Sequence, residues 1–165
     1  MIATRLVLAA ALAVAFAAPA AAKWHPKPKP SRMTEVPVSV TDAWIREAPP
    51  GASALAAYML VVNPTKKGLS LTRVTSPSFG EVQMHVSEVK DGMAHMKQVP
   101  GFTLGPGARL VFKPGGNHLM LLKPKKALKA GDVVPMVLEF DGAGVRSLQV
   151  KVLSQGITGD TPHHP

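Results

Sequence analysis

The chain has 165 residues, no cysteine and a formal net charge of +9. Without cysteine it can form neither a disulfide nor a thiolate metal site, which excludes the blue-copper electron carriers because their copper needs a Cys ligand. The basic charge alone would suit nucleic acid. No aromatic-rich basic face accompanies it, however, and an export signal precedes the domain, so we expect no nucleic-acid partner.

The N-terminal segment is typical of a cleaved export signal. Arg5 provides a positive charge, residues 6–18 form an apolar run, and Ala20-Ala21-Ala22 are small residues suited to cleavage. We therefore predict a signal peptide at 1–22 and a periplasmic location. A basic, Pro-rich stretch follows the run and no cysteine does, so we expect no stable membrane insertion and no lipid anchor.

Both terminal segments beyond the signal carry histidine. Residues 23–36 are rich in Pro and Lys, which predicts an extended linker, and residues 155–165 are predicted to form a flexible tail. Cleavage after residue 22 would give Lys23-Trp24-His25 a free amino group, and that pattern can bind Cu(II) in a square plane of nitrogens. His163-His164 is a second candidate Cu(II) site. The alternative, that these are ordinary polar residues, stays open.

Residues 37–154 predict a single all-β domain, either a sandwich or a barrel, because short apolar runs recur between Gly and Pro turns. A domain of this size can bury a core without disulfides. Residues 125–130 are expected to form one helical turn, and no longer helix is predicted. The predicted strands span residues 38–46, 54–63, 70–75, 81–89, 93–99, 108–112, 118–123, 133–140 and 145–153.

Two imidazoles and two thioethers form the candidate metal site. His85, Met96, His118 and Met120 follow the spacing His-x10-Met-x21-His-x-Met. Thioether sulfur selects Cu(I) over hard cations, and imidazole accepts copper readily. Four neutral donors suit a monovalent soft ion better than Zn(II) or Fe(II), so the set predicts a site for one Cu(I).

Strand geometry allows His85 and Met96 to meet. Residues 81–99 predict a hairpin with Asp91-Gly92 as its two-residue turn. That register places Ser87 opposite Met96 and puts His85 on the same face, as a diagonal neighbour within reach of long side chains.

The other two candidate ligands lie two residues apart in one predicted strand. Alternation points His118 and Met120 to one face and Leu119 and Leu121 to the other. The preceding Gly115-Gly116 turn allows a close approach of the backbone.

The remaining Met and His residues of the domain are assigned other positions. Met59, Met93 and Met136 are expected to fill the core. Met84 and His95 fall on the faces opposite His85 and Met96, with His95 exposed near Glu88. A slip of one residue in the hairpin would exchange these sets.

The ligand spacing and several other stretches, over about residues 37–153, resemble the periplasmic copper chaperones of the PCu(A)C family. This resemblance implies a cupredoxin-like Greek-key β-barrel or sandwich that binds Cu(I) through the four residues above. The other similar stretches are Asp42-Ala43-Trp44-Ile45-Arg46, Ala56-Ala57-Tyr58-Met59 and Pro114-Gly115-Gly116-Asn117-His118-Leu119-Met120-Leu121.

The resemblance also implies a function: supply of copper to the CuA centre of cytochrome c oxidase. The expected acceptor is subunit II of that oxidase or another copper chaperone, and the chain is expected to act as a monomer. We expect no enzyme activity, because the sequence carries no nucleophile elbow and no Cys/His pair. Copper storage or resistance without a dedicated delivery partner stays open as an alternative.

Overall fold

The computed structural model describes residues 34–90 and 92–154, which form ten β-strands joined by turns. No helix in this part is long and apolar enough to cross a membrane. The predicted signal peptide, the predicted tail, both candidate Cu(II) sites at the termini and Asp91 lie outside the described residues. The strands are β1 (Ser39–Arg46), β2 (Ala54–Val62), β3 (Leu69–Thr75), β4 (Phe79–Lys90), β5 (Met93–Val99), β6 (Phe102–Leu104), β7 (Arg109–Phe112), β8 (His118–Pro124), β9 (Val133–Phe140) and β10 (Gly144–Leu153).

The strands hydrogen-bond in the order β5-β4-β8-β2-β1-β10-β9-β3-β6, and β7 also pairs with β2. The β1–β10 ladder is parallel, and the ladders that join β8 to β4 and to β2 are antiparallel. No ladder joins β5 to β6 among the described strands, so the sheet is open and does not close into a barrel. The predicted all-β class is confirmed.

Alternation of side chains builds the core. In β9, Val134, Met136, Leu138 and Phe140 are buried, and the residues between them are more exposed. A period of two is the signature of a strand with one face on the core. Each large aliphatic side chain that is fully buried contributes about 1.5–3 kcal/mol. Most of the buried apolar side chains of the other strands join β9 in one apolar cluster.

All nine predicted strands are present, with ends within two residues of the prediction. The structure has one further strand, β6, which the prediction lacks. This strand has three residues between Gly101 and Gly105 and is too short to display an alternation. It exists because β3 pairs with it. Tertiary pairing therefore creates an element that has no local signal.

The helical turn predicted for residues 125–130 is wrong. Its backbone donors bond elsewhere: the Lys125 N–H donates to the Ser78 carbonyl oxygen at 3.0 Å, and the Ala130 N–H donates to Glu47 Oε1 at 3.1 Å. A segment whose donors serve neighbouring elements forms bends rather than a helix.

The domain extends further towards the N-terminus than the predicted boundary at residue 37. Glu35 forms a parallel bridge with Val145, and the Val36 N–H donates to the Val145 carbonyl oxygen at 2.8 Å. Val36 is buried in the core cluster. Residues 34–36, assigned above to the linker, are therefore part of the β-domain, and the other predicted boundaries stay predictions.

Candidate metal centre

The β4–β5 hairpin has the register expected from the sequence. Ser87 pairs with Met96, and His85 pairs with Gln98. Directly paired residues share a face, so His85 and Met96 lie on the same face as diagonal neighbours. Met96 is 64% exposed.

β8 places its two candidate ligands beside β4. His118 pairs directly with His85, and Met120 pairs with Gln83. The two imidazole rings lie 5.5 Å apart between centroids, at an interplanar angle of 41°. The intervening Leu119 is fully buried on the opposite face, as predicted. Three adjacent strands thus bring the candidate ligands to one face of the sheet.

A single carbonyl in the β7–β8 loop fixes the His118 ring. The Gly116 carbonyl oxygen accepts from the Ser87 N–H at 3.2 Å and lies 3.0 Å from His118 Nδ1. A carbonyl oxygen only accepts, so Nδ1 carries the proton, and the lone pair of the neutral ring lies on Nε2. Gly115, with φ of +74°, supplies the left-handed conformation that this turn requires.

The His85 ring makes a different set of contacts. Its Nε2 lies 2.9 Å from Gln83 Oε1, and Gln83 Nε2 donates to Glu81 Oε1 at 2.7 Å. Its Nδ1 is buried and has no hydrogen-bond partner among the described residues. Burial lowers the pKa of His85, and the neighbouring His118 lowers it further, because both disfavour a charged ring.

An open concavity of about 460 Å³ lies beside the ligands. Met96, His118 and Met120 line it, whereas His85 does not and joins the group through its contact with the His118 ring. The rest of its wall consists of Arg46, Glu47, Ala48, Pro49, Ala54, Leu55, Ala56, Tyr58, Ser87 and Gly115.

The sequence interpretation missed several residues around the site. Tyr58 was identified only within a similar stretch; it is buried and forms part of the concavity. The contact of Gln83 with His85, and those of the Gly116 carbonyl oxygen with Ser87 and His118, are also new: the sequence indicated only the register position of Ser87 and a close turn at Gly116. The sequence carried a signal for the contact of Gln83, because strand alternation places it and His85 on one face.

Among the other Met and His residues, Met59 and Met136 are buried, as predicted, and His95 is exposed opposite Glu88. The core position predicted for Met93 is wrong, since this side chain is 61% exposed. The β4–β8 ladder ends at His85 and His118. The part of the hairpin that contains Met93 therefore extends beyond β8.

The arrangement offers two imidazoles and two thioethers on one face. None of these donors carries a charge when the rings are neutral, and soft neutral donors suit Cu(I). A protonated imidazole cannot bind a metal, so the lowered pKa of His85 preserves its donor form to lower pH.

Comparison with known proteins agrees with this architecture. A family model described as "Putative lipoprotein LpqE-like" matches residues 38–152. "Putative lipoprotein Lxx21020" of Leifsonia xyli is 30% identical over 116 residues, which cover 70% of this chain and 69% of that protein. "Uncharacterized protein RP573" of Rickettsia prowazekii is 31% identical over 59% of this chain, and the match spans 54% of its own length.

Solved structures of similar fold include copper proteins. The copper-bound PCuAC domain of PmoF2 is 26% identical with a TM-score of 0.62, over 73% of this chain and 96% of that domain. The solution structure of CuI-DR1885 from Deinococcus radiodurans is 28% identical with a TM-score of 0.56, over 75% of this chain and 80% of that one. The predicted cupredoxin-like fold is thereby confirmed.

Proposed function

The chain belongs to the LpqE-like family, and from that premise we propose that it is a copper chaperone that binds one Cu(I) through His85, Met96, His118 and Met120. The observation that carries the proposal is the placement of these four neutral donors on one face of three adjacent strands. The copper-bound neighbours of the same fold support it.

The chemistry suits a carrier rather than an enzyme. The two histidines hold the ion, while the thioethers are weaker donors that a thiolate can displace. Transfer therefore runs towards acceptors that contain cysteine. We propose that the chain works in the periplasm and that its acceptor is the CuA centre of cytochrome c oxidase or another copper chaperone. Cell fractionation followed by N-terminal sequencing tests the location, and recovery from the cytoplasmic fraction with residues 1–22 still attached would contradict it.

The binding proposal is tested by titrating Cu(I) under anaerobic conditions against a chromogenic chelator. We expect one tight equivalent in the intact protein and its loss in the double variant Met96→Ala/Met120→Ala. Met93→Ala is the matched control, because Met93 lies on the other face of the same hairpin and should leave binding unchanged. Equal binding by all three proteins would contradict the assigned ligand set.

Delivery is tested separately from binding. The Cu(I)-loaded protein is mixed with an excess of a soluble two-cysteine acceptor domain, and copper in each protein is measured after their separation. A chaperone transfers its copper within the mixing time of the experiment. A storage protein, which is the alternative function, would retain the metal although the acceptor binds it more tightly.

A further inference from the structure

Three side chains form a hydrogen-bonded row on the site face of β4. Glu81, Gln83 and His85 are separated by two residues each, so they share a face. The 2.7 Å and 2.9 Å contacts already described join them in order along the strand. Gln83 also pairs with Met120 of β8, so the row adjoins the candidate ligands on both strands.

The chemistry of the row dictates where its protons lie. The Glu81 carboxylate can only accept, so the atom of Gln83 that faces it must be the amide nitrogen. The amide oxygen of Gln83 then faces His85 Nε2, and that ring nitrogen must carry a proton. In a neutral ring this leaves the lone pair on Nδ1.

An independent observation concerns the other nitrogen of the same ring. His85 Nδ1 is buried without a hydrogen-bond partner in the described part of the chain. A buried polar atom without a partner costs stability and is uncommon. A nitrogen that must keep its lone pair available for a metal ion would lack such a partner.

The second histidine has the opposite arrangement. The Gly116 carbonyl oxygen holds the proton of His118 on Nδ1, so Nε2 keeps the lone pair. We propose that Glu81 and Gln83 act as positioning residues that hold His85 as the Nε2–H tautomer, so that the site offers Cu(I) two unlike nitrogens, Nδ1 of His85 and Nε2 of His118. This inference rests on the proposed function, since it assigns the donor atoms of the same site.

The hydrogen-bonded row has a direct consequence for the affinity of the site for Cu(I). A ligand histidine that must change tautomer or rotate before it binds has a lower effective affinity, and loss of an outer hydrogen-bond partner typically costs about 10–100-fold in metal binding. Gln83→Leu should weaken Cu(I) binding by about that factor. The exchanged pair Glu81→Gln/Gln83→Glu keeps an oxygen acceptor beside His85 Nε2 and an amide donor beside that carboxylate, and should retain most of the affinity.

The first experiment needs no copper. Long-range proton–nitrogen correlation spectra of the full-length metal-free protein, recorded well above the ordinary histidine pKa, identify the protonated nitrogen of each neutral ring. We expect Nε2–H for His85 and Nδ1–H for His118. Gln83→Leu should give a mixture of tautomers at His85, and the exchanged pair Glu81→Gln/Gln83→Glu should restore the pure form. The same tautomer mixture in the intact protein and in Gln83→Leu would overturn the positioning role of Gln83.

Gln98→Leu is the matched control for affinity. Gln98 pairs with His85 across the hairpin and is exposed, and no hydrogen bond joins its side chain to His85 among the described residues. Loss of Cu(I) affinity in Gln83→Leu but not in Gln98→Leu supports the positioning role of Gln83, and equal affinity of the two variants overturns it. Absence of tight Cu(I) binding in the intact protein would refute the proposed function instead, while the tautomer spectra would still report on the row.

Discussion

The candidate site joins two regions of different character, β8 and the outer half of the β4–β5 hairpin. β8 lies inside the sheet, with β4 on one side and β2 on the other, and its His118 is only 8% exposed. Among the described strands, β5 is an edge strand bonded to β4 alone, and Met96 and Val89 are 64% and 76% exposed. Half of the site is therefore held by neighbours on both sides, and half stands at an open edge.

The contrast suggests how the proposed carrier can hold copper and still release it. A strand bonded on both sides opens only at a large free-energy cost, whereas an exposed hairpin end has few buried contacts and opens more easily. His118 and Met120 would then define where the ion binds. Met96 would be the donor that withdraws when an acceptor approaches. The following predictions test this division, from the largest expected effect to the smallest.

Truncating a buried side chain of β8 should have the largest effect on the free energy of unfolding. Leu119 is fully buried, so Leu119→Ala should lower the free energy of unfolding by about 2–5 kcal/mol. Urea denaturation measures the change. Val111→Ala is the control, because Val111 is exposed and its truncation should cost less than about 0.5 kcal/mol. Similar costs for the two variants would mean that β8 is not the fixed half of the site.

Removing the imidazole of β8 should have the largest effect on copper. Loss of a direct ligand should cost more than loss of an outer partner, so His118→Ala should weaken Cu(I) binding by more than about 100-fold. Competition with a chromogenic chelator measures this. His95→Ala, at an exposed position opposite Glu88, serves as the comparison and should bind like the intact protein. A smaller loss in His118→Ala than in Met96→Ala would reverse the proposed division.

The edge ligand should affect release more than stability. Met96→Ala should weaken Cu(I) binding by less than His118→Ala does and should speed transfer of copper to a chelator in stopped-flow mixing. Its free energy of unfolding should change by less than about 0.5 kcal/mol, because the side chain is mostly exposed. A variant with unchanged release kinetics would show that the hairpin end takes no part in transfer.

The smallest effect concerns the phenol proton of Tyr58, which lies in the wall of the concavity. Tyr58 is the sole tyrosine of the chain and is 7% exposed; burial raises its pKa, and Arg46 partly offsets the rise. An unfolded chain would lose this proton first, so stability should fall as pH rises from the ordinary tyrosine pKa through the raised value. Phenolate absorbance during a pH titration measures the shift, with urea-unfolded protein as reference. Coincident curves would place Tyr58 in water rather than in the wall of the site.

Local patterns predicted the ligand geometry because one ligand pair lies within a single hairpin and the other within a single strand. The register of the hairpin follows from its turn, and the shared face of His118 and Met120 follows from alternation. The sequence could not show that β8 would pair with β4, because that contact joins segments far apart in the chain. The donor types predicted that the two pairs share one site, but the exposure of Met93 and the Gly116 carbonyl oxygen that contacts both β4 and His118 were missed.

The exposure of Met96 also sets the chemical lifetime of an empty carrier. Oxidants in solvent reach this thioether before they reach Met59, Met84 or Met136, which are buried. Sulfoxidation replaces a soft sulfur donor with a hard oxygen, which Cu(I) binds poorly. A bound copper ion occupies the same sulfur lone pair, so the loaded protein should resist damage that the empty one suffers. Capacity lost in this way would return through reductases that repair methionine, without any refolding of the domain.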